Sequence, residues 1–183
     1  MLLNTIDLPV AFAEEIKNST LNGLSPSSRV WIYQADRAFG SEETQSLKNN
    51  LQDFVGEWTA HSQTLYAAGD VLFNRFIVLA VDEMRQGATG CSIDTSIHFI
   101  KAAEKTQGVK LFDRMLFTYF DAGSVHAIAS KDLTAAYQQK IISDDTLMFD
   151  NLVTDLSALQ NSWLKPLSES WHKKFLKLGG NEK

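Results

Sequence analysis

The sequence predicts an α+β fold, a mostly antiparallel sheet with helices packed on it, and three observations carry that expectation. Stretches with a helical apolar period alternate with short β-rich runs. Two pairs of those runs are joined too tightly for a crossover helix, as antiparallel neighbours are. One run, residues 76–81, is apolar at every position, which marks a strand covered on both faces and therefore central.

In chain order, residues 7–18 read as a helix with Asp7 as cap, Pro9 in the first turn and a stripe of Leu8, Phe12 and Ile16. Residues 18–28 are polar, with Gly23 and Pro26, and read as a loop. Residues 29–35 alternate as a strand, Val30 and Ile32 on one face and Trp31 and Tyr33 on the other. Ser41 opens a long helix whose Leu47, Leu51, Phe54, Val55 and Trp58 share one face, with Glu42 and Glu43 in its first turn. Residues 64–73 and 75–81 read as two strands joined near Asn74.

A loop at 87–90 leads into a second helix from Cys91 or Ser92, with Ile93, Ile97 and Ile100 inward, ending near Gly108. Residues 116–120 and 125–129 form a hairpin around Asp121, Ala122, Gly123 and Ser124. Residues 131–142 read as a helix and 147–149 as a short strand. Pro166 opens a last helix with Leu167, Trp171, Phe175 and Leu178 on its face. The order predicts a ferredoxin-like β-α-β-β-α-β core with a C-terminal strand and helix extension. The expected organisation is one domain over 1–183, with 1–27 a helical N-terminal extension and 28–176 the core and C-terminal helix. Because neither face of the expected sheet is polar, both must be covered, with the terminal helices or a second subunit as candidates.

Composition narrows the function. The 183 residues carry 17 Lys+Arg against 22 Asp+Glu, a net charge of -5, which opposes general nucleic-acid affinity. No apolar run approaches the roughly 20 residues of a membrane span. No basic, apolar leader pattern opens the chain, so the expected location is cytoplasmic. The single cysteine, Cys91, suits a reducing compartment and excludes a four-cysteine zinc site within one chain. His172, Lys173, Lys174 and Lys177 form a basic cluster that reads as a helix end.

The segment with most chemical content is 90–98. Helical spacing puts Cys91, Asp94 or Thr95, and His98 on one face, and a thiol at a helix start is the setting for a reactive thiolate. Against this, Cys91 and His98 are roughly 10 Å apart along the axis, and free cysteine is usually a small buried hydrophobe, so a largely buried Cys91 is expected. Asp82 and Glu83 follow the central strand directly, where site carboxylates often stand and where any solvated strand end also stands. No spacing specifies a metal set or a cofactor, and Trp31, Tyr33, Trp58, Trp163 and Trp171 read as core rather than as a base-stacking platform. There is no Gly-Lys pair, no phosphate loop, and no dinucleotide-binding, nucleophile-elbow or zinc-protease motif.

Several stretches resemble a small family of proteins from the Bacteroidetes group of bacteria: residues 29–34, 74–83, 90–94, 98–100, 111–114 and 170–172. Its members often bear the label "ABC transporter ATPase", which the absent phosphate loop contradicts here. The resemblance covers roughly residues 28–176 and implies a bacterial cytoplasmic protein; it supplies no catalytic residue. The expected function is a binding or interaction module without ATPase activity, its partner a small molecule, a protein or a second copy in a homodimer. The alternative is a thiol-dependent or acid/base enzyme using Cys91 and His98, with Asp94, Asp82 and Glu83 as further candidates.

Overall fold

The computed structural model describes residues 9–177; Asp7, Leu8 and Leu178, named above, lie outside them. The first helix, α1 (Val10–Lys17), starts after Pro9 and buries Phe12 and Ile16. Strand β1 (Arg29–Gln34) is followed by α2 (Ser41–Glu57), whose Leu47, Leu51 and Val55 are buried as the apolar period requires. Glu43 secures the start of α2. Its carboxylate accepts the Gly40 N–H at 2.7 Å and a two-pronged pair of bonds from Arg37, each 2.8 Å.

The expected strand over 64–73 is shorter and preceded by a small hairpin, β2 (Thr59–Ala60) with β3 (Gln63–Thr64). After it come β4 (Ala67–Leu72) and β5 (Phe76–Val81). Phe73, Asn74 and Arg75 connect β4 to β5; Phe73 and Asn74, both at positive φ (52° and 48°), are the central pair of a turn closed by the Arg75 N–H on the Leu72 carbonyl at 3.0 Å. The phenylalanine in that strained position is held by rings of Phe12, Phe76, Phe120, Phe149 and Trp163, with centroids 5.6–6.4 Å away.

Strands β1, β5 and β4 form one antiparallel sheet in that order, with fully buried β5 in the middle. β1 and β4 both run antiparallel to β5, which lies between them. One face is covered by α2 and by α3 (Gly90–Gln107), which pack on Trp31, Tyr33, Ile77 and Leu79. At Gly69 an added Cβ would stand 3.1 Å from both Leu51 and Leu79, so glycine here lets α2 pack tightly on β4.

The ferredoxin-like expectation fails at the next strand. Strand β6 (Leu116–Asp121) does not join β1. It lies in a second antiparallel sheet of order β7-β6-β8-β9, with β7 (Ser124–Ala129), β8 (Leu147–Phe149) and β9 (Leu164–Pro166). A strand has two hydrogen-bonding edges, and β7 and β8 occupy both of those of β6. The outer edge of β1 is closed instead by the chain before α5 (Leu156–Ser162): Val30 N–H donates to the Thr154 carbonyl and Leu156 N–H to the Ser28 carbonyl, both at 2.9 Å.

Both faces of the first sheet are covered, as its apolar strands require. The second face meets Phe12 and Ile16 of α1, Leu156 and Leu159 of α5, Trp163, and Phe120 and Phe149 of the second sheet. The C-terminal segment does not contribute there. It is not a helix opened by Pro166; Pro166 ends β9, and two 3-10 turns follow, Leu167–Glu169 and Trp171–Phe175. These pack on the far face of the second sheet, with Phe117, Met148 and α4 (Leu133–Gln138), the shortened form of the helix expected at 131–142.

Candidate functional site

The five residues singled out from the sequence do not form a site together. Cys91, Asp94 and His98 do share one face of α3, but that face is the exposed one. The buried face of α3 is Ser92, Ser96, Ile100 and Ala103; Ile93 and Ile97 are only half-buried. The expectation of a buried Cys91 is therefore wrong: the thiol is exposed. The physical reason is local. Thr89 caps α3 by accepting the Ser92 N–H at 3.3 Å, and the Trp58 indole donates to the Ser92 carbonyl at 2.8 Å. That anchoring turns Ser92 inward and its neighbour Cys91 out.

Asp82, at the end of β5, is buried, accepts the Met84 N–H at 3.2 Å and faces Arg85 at 3.7 Å, closing the strand end on itself. Glu83 is paired with Arg29 at 3.6 Å. Among the described residues no hydrogen bond joins any two of the five, and none of them lines the cavity between the two sheets. Among the described residues no three His, Cys, Asp or Glu side chains are grouped to hold a metal ion.

A concavity lies elsewhere, where the two sheets diverge. It has a volume of about 550 Å³, within the range of small-molecule sites. Apolar walls come from Ile32 and Tyr33 of β1, from Leu111 and Phe112, from Leu116 and Phe117 at the start of β6, and from Phe149 and Leu152. Polar groups enter from Gln34, Asp113, Arg114, Asn151 and His172, beside the ring of Trp171.

The floor is a hydrogen-bonded network whose orientation follows from donor chemistry alone. The indole of Trp163 can only donate, and it donates to Asn151 Oδ1 at 2.9 Å. Asn151 Nδ2 must then face Gln34, and donates to its Oε1 at 2.9 Å. Gln34 Oε1 also accepts from Thr118 at 2.7 Å, so Gln34 Nε2 faces the Leu116 carbonyl at 3.0 Å. One buried amide thus stitches the end of β1 to β6, where a backbone ladder would run in a ferredoxin-like sheet. Each amide keeps one N–H outside this network.

A second network supports the C-terminal wall. Asp150 accepts from the Trp171 indole at 2.9 Å, from the Leu152 N–H at 3.1 Å and from Lys165 at 3.0 Å. Burial pushes its carboxyl up, but the bonds from Lys165, Trp171 and Leu152 outweigh it and hold the group below its usual range. Trp171 stacks on His172 with ring centroids 3.9 Å apart. His172 is 2% exposed. Burial lowers its imidazole to about 4, the Asp150 charge pulling weakly the other way, so at neutral pH the ring is uncharged.

The His172 tautomer can also be reasoned out. Nδ1 lies 2.6 Å from Ser170 Oγ, which also receives the His172 N–H at 3.5 Å. Buried Ser170 has no other acceptor for its proton among the described residues, so it donates to Nδ1. The ring proton then resides on Nε2, which has no partner among the described residues.

Sequence reasoning placed His172 in a basic surface cluster and did not select Gln34, Asp113, Arg114, Asn151 or Asp150. The visible signal was positional: three stretches that carry the resemblance, 29–34, 111–114 and 170–172, converge on this cavity. Comparison of the chain with protein-family models, with curated proteins and with solved structures yields no significant match, so the cavity and its polar groups are the basis for any functional assignment.

Proposed function

We propose that the chain is a binding module for a small organic molecule and that the cavity between the two sheets is its site. The observation that carries this reading is the pairing of a 550 Å³ cavity with polar groups held in one orientation. Side chains whose donors are fixed before a ligand arrives need little ordering when it binds. Leu152 at 66% exposure and Phe112 at 41% give the rim an apolar surface that a ligand would cover. The resemblance to the Bacteroidetes family supports a bacterial cytoplasmic setting for such a module.

The thiol or acid/base enzyme reading has less support. Cys91 and His98 stand exposed on α3, with no hydrogen bond from either side chain to an orienting group among the described residues. ATP turnover is not expected, because no phosphate loop is present.

The test is a fragment screen on the ¹⁵N-labelled full chain by two-dimensional NMR. Binders should shift the side-chain amides of Gln34 and Asn151 and the Trp171 indole. Shifts confined to residues 91–98 would overturn the cavity reading in favour of the α3 face. Saturable ATP hydrolysis, abolished by a point mutation, would overturn the expectation of no ATPase activity.

A further inference from the structure

Granted that the cavity is the binding site, its uncommitted hydrogen-bonding groups identify the ligand class. Their balance is one-sided. His172 lines the cavity and contributes an Nε2–H with no partner among the described residues. Gln34 and Asn151 each keep one amide N–H outside their network. Arg114 lines the cavity with neither an ion pair nor a side-chain hydrogen bond among the described residues, although Asp113 is its neighbour in sequence. All four are donors.

The acceptors are mostly committed. Gln34 Oε1 already receives two hydrogen bonds, and Asn151 Oδ1 receives the Trp163 indole. Asp150 is satisfied by Lys165, Trp171 and the Leu152 N–H. Asp113 is exposed and turns one carboxylate oxygen back to the Met115 N–H at 2.9 Å.

Donors left free in a concavity favour a molecule that brings acceptors. An anion adds charge-assisted bonds to the Arg114 guanidinium, whose fork matches the geometry of a carboxylate. We propose that the cavity binds a small organic acid. Its carboxylate is met by Arg114 and the His172 Nε2–H, and its flat apolar body lies between the rings of the wall and the Phe112 and Leu152 rim. The neutral state of His172 is consistent with a donor role, since Nε2–H donates without a charge that the buried site would have to carry.

The test titrates the full chain with three matched probes on one ring, phenylacetate, phenylacetamide and 2-phenylethylamine, and repeats the series on indole. The readout is the NMR shift of the Trp171 indole and the Gln34 and Asn151 amides. The acid should bind about tenfold more tightly than its amide, and the amine more weakly still. Arg114→Gln should erase most of the preference for the acid over the amide while the remaining binding shifts the same signals; Arg114→Lys should restore part of it. Arg114 is exposed, so these variants fold even if His172→Gln does not.

Equal or tighter binding of the amide or the amine, or an unchanged acid affinity in Arg114→Gln, overturns the organic-acid proposal and leaves the cavity reading standing. Absence of any shift at Trp171, Gln34 and Asn151 with all probes overturns both.

Discussion

Trp163 Nε1–H donates to Asn151 Oδ1 at 2.9 Å, and this bond orders a chain of amides that runs from Asn151 to Gln34, 117 residues before it in sequence. Trp163 is fully buried, so losing the acceptor leaves its N–H without water. Asn151→Ala should destabilise the fold by about 1–3 kcal/mol in denaturant unfolding. Asn151→Asp should cost less at the Trp163 end, because a carboxylate oxygen still accepts, but should break the contact to Gln34 Oε1. An Asn151→Ala protein with the parent midpoint would show that the network does not support the fold.

His172 gives stability a defined acid limb. Its folded value, about 4, lies below the ordinary 6.5 because burial disfavours the charged ring. As pH falls, the unfolded chain takes up the proton first. The contribution is fully present above about 6.5, is lost as pH falls from there to about 4, and is flat below; the shift corresponds to roughly 3 kcal/mol. Asp150, held below its usual range, contributes a separate loss at still lower pH. In His172→Gln the slope between pH 6.5 and 4 should flatten, which urea titrations at stepped pH will measure.

Trp171 ties the C-terminal turns to the second sheet through its indole bond to Asp150, its stack on His172 and an edge contact with Phe117, 5.4 Å between centroids. Trp171→Ala should cost about 3 kcal/mol. Truncation before Pro166 removes one of the three β8–β9 pairs, Leu147 with Pro166, together with the fully buried Leu167 and the C-terminal turns, and should unfold the second sheet rather than trim a tail. A truncated protein melting at the parent temperature would contradict this.

Cys91 is exposed and does not line the cavity between the sheets. Thiol reagents should label the native chain rapidly and in equal stoichiometry. Cys91→Ser should abolish labelling, move stability by less than about 0.5 kcal/mol and leave ligand-induced shifts unchanged. Loss of binding on Cys91→Ser would point back to the α3 face.

The sequence by itself determined what depends on neighbours in the chain. The all-apolar run at 76–81 marks the central strand, and β5 is central. The period of Leu47, Leu51 and Val55 sets the buried face of α2. The short connections at Asn74 and Gly123 make both hairpins antiparallel. Each of these is a repeat or a turn a few residues long, readable without knowing what lies opposite. Tertiary structure decided what depends on distant partners. That β6 spends its second edge on β8 rather than β1 turns on residues 147–149, too short a run to announce a pairing. That Ser92 rather than Cys91 faces inward turns on the Trp58 indole from another helix's end. The cavity is built from four separate stretches, and its floor from Gln34, Thr118, Asn151 and Trp163 meeting across gaps of 84, 117 and 12 residues. A hydrogen bond between side chains leaves no period in the sequence, so a site made of such bonds becomes visible only once the two sheets are packed.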